Sequence, residues 1–64
     1  MEKPEQHMTA FEIMVKRKRI LKQAKATKDL VERERLYDET HRLARLAGKK
    51  GGLSQEEVIN LSLQ

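Results

Sequence analysis

A chain of 64 residues and 7.5 kDa with a formal charge of +4 has room for one small domain, burying only about 60% of the surface its unfolded form exposes. With no Cys or Trp, one Phe and one Tyr, it excludes disulfide staples, cysteine-ligated zinc and thiol nucleophiles, and offers little to anchor a thick core. The longest apolar run, Ile13-Met14-Val15, is far short of a membrane span or signal core, and Met1-Glu2-Lys3-Pro4-Glu5 lacks the basic start of a secretory leader, so a cytoplasmic protein with no membrane partner is expected.

Leu, Ile, Val and Phe make up about 23% of the residues, just above the roughly 20% at which disorder becomes the default. A chain so placed needs a partner, most simply a second copy. Residues 1–8 read as a flexible arm and 9–64 as a single helical domain. Thr9-Ala10-Phe11-Glu12 is a capping box, with Met8 and Ile13 placed as its hydrophobic staple. It predicts a helix over about 10–26.

At 100° per residue, Ala10, Ile13, Met14, Ile20, Leu21, Ala24 and Val31 share one stripe, interrupted by Arg17 and Lys28. From Leu36 the stripe shifts by about a quarter turn to Leu36, Thr40, Leu43, Leu46 and Ala47. Either one long bent helix or two helices would do this, with the break near Lys25 to Asp29 and Thr27 as the cap of a second helix over about 28–47. Asp29 with Arg33 and Asp38 with Arg42 have the acid-before-base spacing of i,i+4 ion pairs. Gly48 is the natural end of that helix. Lys49-Lys50-Gly51-Gly52 then turns into Ser54-Gln55-Glu56-Glu57, a second capping box stapled by Leu53 and Val58, which predicts a third helix over about 55–63. No strand or repeat is evident. The fold class is all-α, and a homodimeric helical bundle is expected, its core and interface drawn from Ile13, Met14, Ile20, Leu21, Ala24, Val31, Leu36, Leu43, Leu46, Val58, Ile59 and Leu61.

Charge lies in blocks. Positions 16–28 carry Lys16, Arg17, Lys18, Arg19, Lys22, Lys25 and Lys28 without one acid, whereas Asp29 to Glu39 holds five acids against two bases. Lys18, Arg19, Lys22 and, at its margin, Lys25 fall opposite the apolar stripe, so a helix buried along that stripe presents cations to solvent. Such a strip suits a phosphate backbone. The predicted contacts are Lys16, Lys18, Arg19, Lys22, Lys25, Lys49 and Lys50, the last two in a glycine turn whose amides form a weaker anion site. That turn lacks the GxxxxGK[ST] spacing of a nucleotide-binding loop.

His41 has no nucleophile spaced to it, His7 lies in the arm, and Glu56 and Glu57 are accounted for by the cap. No catalytic residue, metal site, cofactor or small-molecule substrate is expected.

The segments Leu43-Ala-Arg-Leu-Ala-Gly48 and Leu53-Ser-Gln-Glu-Glu-Val-Ile-Asn-Leu-Ser-Leu63 resemble the helix, glycine turn and helix of ribbon-helix-helix repressors and antitoxins. That resemblance implies a dimer in which a strand ahead of the first helix reads DNA, although Glu32-Arg-Glu-Arg-Leu-Tyr37 alternates poorly. Gly52 to Ser62 is also similar to the second-helix start of the small sporulation aspartyl-phosphate phosphatases, whose motif continues Ser-Gln-Glu-Leu-Asp where this sequence has Ser62-Leu63-Gln64. Neither likeness assigns a family. The sequence is read first as a small nucleic-acid-binding regulator, and second as a helical protein-binding module using the acidic and mixed segment Asp29 to Glu39.

Overall fold

Helix α1 (Ala10–Ala26) begins where its capping box predicts, in a computed structural model that describes residues 3–64. The Thr9 hydroxyl accepts from the Glu12 amide at 3.1 Å and the Glu12 carboxylate accepts from the Thr9 amide at 2.9 Å, so two of the donors left open at a helix start are satisfied locally. Helix α3 (Gln55–Ser62) starts the same way, through Ser54 and Glu57. Between them runs α2 (Leu30–Lys49). The described residues contain no strand, so the fold is all-α and the 10–49 stretch is two helices.

The break differs in detail from the sequence expectation. Asp29, not Thr27, caps α2, its Oδ1 accepting from the amides of Val31 and Glu32. Thr27 instead closes α1, its hydroxyl donating back to the carbonyl of Gln23 at 2.7 Å. Arg33 spans the corner and donates from Nε and Nη2 to the Thr27 carbonyl. The Asp29–Arg33 ion pair is therefore replaced by two backbone contacts, which hold the turn between the helices.

At its far end α2 runs through Gly48 to Lys49. The left-handed positions are Gly51 (φ 102°) and Gly52 (φ 71°), where Gly51 N–H bonds to the Gly48 carbonyl and Gly52 N–H to that of Ala47. This pair of bonds is a Schellman closure, which needs a residue without a Cβ penalty at the left-handed step. Leu53, just beyond it, packs on the core.

That core lies where the start of α1 meets the end of α2: Ile13 and Leu43 are fully buried, Met8, Ala10 and Ala47 surround them, and Met14, Ile20 and Leu46 cover the group. Ala10, Ala24 and Ala47 are small enough to let helices approach closely, and burying Ile13 and Leu43 contributes about 2–3 kcal/mol each. Of the other expected core positions, Leu21, Leu36 and Leu61 are half-buried, while Val31 (77% exposed), Val58 (52%) and Ile59 (58%) lie outside the core of the single chain.

Residues 3–8 do not form the free arm expected of them; residues 1 and 2 lie outside the described part. A 3₁₀ turn at Glu5–His7 leads to buried Met8, and Lys50 Nζ donates to the carbonyls of Glu5 at 2.8 Å and Met8 at 2.6 Å. Helix α1 packs mainly on α2, and α3 lies on α1. At about 1.5 Å per residue α3 is about 12 Å long against about 26 Å for α1, so it covers only part of its neighbour.

Candidate nucleic-acid interface

The basic run does not reach solvent as one strip. Lys18 Nζ, read from the sequence as an exposed phosphate contact, donates to the carbonyls of Leu61 at 2.7 Å and Gln64 at 3.0 Å. It thus adds a charged donor to the Leu61 carbonyl, which also accepts from the Gln64 amide, and places a cation at the negative pole of α3. Lys16 lies half-buried with its Nζ 3.6 Å from a Glu5 carboxylate oxygen. Arg17 is half-buried too, and its Nε is buried without a hydrogen-bond partner.

Arg19, Lys22, Lys25 and Lys28 are exposed and take part in no hydrogen bond or ion pair among the described residues. The first three advance along α1 in steps of three residues, about 4.5 Å each, and drift by about 60° per step around the axis. Beside them, Val15, Leu21 and Gln64 join Lys18, Arg19, Lys22 and Lys25 in lining a shallow groove between α1 and the end of α3. A patch of these cations with no acid from position 16 to 28 holds a positive potential that a salt-bridged surface would cancel.

The second basic cluster divides similarly. Lys50 is committed to the Glu5 and Met8 carbonyls, which leaves exposed Lys49, together with exposed Arg45, without a described partner. The expected anion site at the start of α3 is filled from within: Ser54 Oγ and the Glu57 carboxylate occupy the cap positions, and Glu56 adds a second acid there. His41 and His7 are exposed, and no group of three metal-ligating side chains exists among the described residues.

A cluster unforeseen in the sequence centres on Glu5. Arg42 grips its carboxylate with both terminal nitrogens, at 2.7 and 2.8 Å, while also binding Glu39. The predicted Asp38–Arg42 pair gives way to this arrangement, and no local motif announces a contact across 37 positions. The Arg42 hydrogen bonds, opposed by partial burial and aided by the charges of Arg42 and Lys16, lower the Glu5 pKa from 4.5 to about 2.

A carboxylate depressed on folding contributes stability that is complete above its unfolded pKa and is lost as pH falls through its folded one. The Glu5 contribution should therefore disappear between about pH 4.5 and pH 2. The full shift corresponds to about 3 kcal/mol; with Arg42 half exposed, screening reduces this to about 1 kcal/mol. Urea midpoints at pH 5 and pH 2.5 should differ less in Glu5→Gln than in the parent, and equal differences would place the acid sensitivity elsewhere. Glu12 and Glu39 are also lowered, chiefly by the Thr9 amide and by Arg42 respectively, so Glu5→Gln should reduce the acid sensitivity without abolishing it.

Comparison with protein-family models, curated proteins and solved structures finds no match to this chain. Glu32 to Tyr37, the segment that would form the DNA-reading strand of a ribbon-helix-helix protein, lies inside α2. The likeness to that family is thus confined to a helix, a glycine turn and a helix.

Proposed function

We propose that this chain is a small nucleic-acid-binding regulatory protein, acting as a homodimer, that contacts phosphates through Arg19, Lys22, Lys25 and Lys28. The observation that carries this reading is the separation of structural from unpaired cations: Lys16, Lys18 and Lys50 serve the fold, and those four remain exposed along one acid-free stretch. Arg19 offers a bidentate fork and the lysines compact charges, both suited to phosphate oxygens. Phe11 and Tyr37 are half-buried and do not line the groove beside these cations, so that groove offers no aromatic platform for stacking unpaired bases. Contact is with the backbone and is independent of base sequence.

The protein-module reading is less well supported, because most of its acidic segment is engaged internally. Asp29 caps α2, Glu32 pairs with Arg35 and Glu39 with Arg42, leaving Glu34 and Asp38 as exposed acids.

Replacing Arg19, Lys22 and Lys25 together by Ala should leave the melting temperature nearly unchanged, since exposed helical Lys and Arg resemble Ala in propensity. Binding to duplex DNA should weaken for every sequence, and the slope of log K against log salt should flatten by about two to three units. A triple variant with the parent's affinity and slope would remove the strip from the function.

A further inference from the structure

We propose that α3 is the homodimer interface: two copies pair their α3 helices antiparallel across a two-fold axis, burying Val58, Ile59 and Leu63 against each other. This locates the dimer named above, and it stands whether or not the basic strip binds nucleic acid. Val58 and Ile59, on the eight-residue helix α3, are more than half exposed, and Leu63, which caps its end, is 80% exposed.

The chain as a whole leaves more surface uncovered than a compact monomer of its size. A folded monomer of 7.5 kDa exposes about 4,200 Å², whereas this chain exposes 5045 Å². The excess over the whole chain, about 800 Å², is of the order each partner contributes to an interface of standard size, and Val58, Ile59 and Leu63 are among the large apolar side chains left exposed. The radius of gyration agrees, at 12.3 Å against about 10.7 Å for a compact domain of this length.

A second copy fits this surface because the surface is self-complementary. The start of α3 is acidic, with exposed Glu56, and its end is cationic, with Lys18 seated on the Leu61 and Gln64 carbonyls. An antiparallel pair sets each acidic start beside the other copy's cationic end, and a two-fold axis makes that match twice. The midpoint of Gln55–Ser62 falls between Val58 and Ile59, so each of these lies close to its own equivalent.

The chain contains no cysteine, which makes a single introduced one a clean reporter. By sedimentation equilibrium at about 100 µM, well above the micromolar constants at the weak end for such an area, the parent should have twice 7.5 kDa. Ile59→Asp should be a monomer with the parent's helical circular dichroism. Ile59→Cys should become a covalent dimer on mild oxidation, whereas Val31→Cys, at a still more exposed position at the α1–α2 corner, should not. These measurements contain no nucleic acid, so their failure and that of the phosphate-binding reading are distinguishable. A monomeric parent, a dimeric Ile59→Asp, or equal cross-linking at positions 31 and 59 would overturn the proposal; parent dimers together with selective cross-linking would sustain it even if Ile59→Asp failed to fold.

Discussion

Leu43→Ala should leave most of the chain unfolded at room temperature. Leu43 is fully buried beside Ile13 and is enclosed by Met8, Ala10 and Ala47. Truncating a buried leucine removes its transfer free energy and leaves a cavity, at about 2–5 kcal/mol. A domain of this length has only about 3–10 kcal/mol in total, and one with so few large apolar residues lies toward the lower end. Leu21→Ala, at a half-buried position, should cost much less. Helical circular dichroism and urea midpoints for the two variants provide the comparison, and a Leu43→Ala midpoint within error of the parent would place the core elsewhere.

Lys18→Met should be the most damaging change of any basic residue in α1. Methionine retains the apolar reach of lysine but lacks the ammonium that donates to Leu61 and Gln64. Hydrogen bonds to charged groups contribute about 1.5–3 kcal/mol each; with one of the two exposed, a combined loss of about 1–2 kcal/mol is expected. It should be concentrated in α3, whose short length gives it little other support. Amide exchange should quicken over 55–62 while the α1–α2 core keeps its protection. By contrast Lys22→Met, at an exposed position without a described partner, should leave exchange unchanged. Equal behaviour of the two variants would mean that Lys18 is an ordinary solvated cation.

The parts of the fold legible in the sequence are those whose partners lie three or four residues apart. Both capping boxes are of this kind, and they place the starts of α1 and α3 correctly. The start of α2 was harder to read because Thr27 and Asp29 are both good caps; the choice depends on Thr27 bonding back to Gln23 while Arg33 takes the Thr27 carbonyl. Gly48 reads as the natural helix end, yet the helix runs on to Lys49 and the left-handed step of the closure falls on Gly51, with Gly52 also at positive φ.

The candidate site was half legible. Arg19, Lys22 and Lys25 are exposed as the helical wheel predicts. Lys18 and Lys50 are instead engaged by the fold, because their partners are backbone carbonyls 42 to 46 positions away, and a carbonyl leaves no mark on a sequence. The docking of Glu5 was invisible for the same reason, since only the tertiary fold brings Arg42 to it.

The most direct test of phosphate binding is titration of the intact chain with duplex DNA and with single-stranded RNA at several salt concentrations. Four contacts from Arg19, Lys22, Lys25 and Lys28 predict that log K falls against log salt with a slope of about −3 to −4 per chain on duplex DNA, independent of base sequence. With no aromatic platform in the groove beside these cations, single strands should bind no more tightly than duplex at the same salt. Failure to bind either at low salt, or binding that does not change with salt, would contradict the assignment.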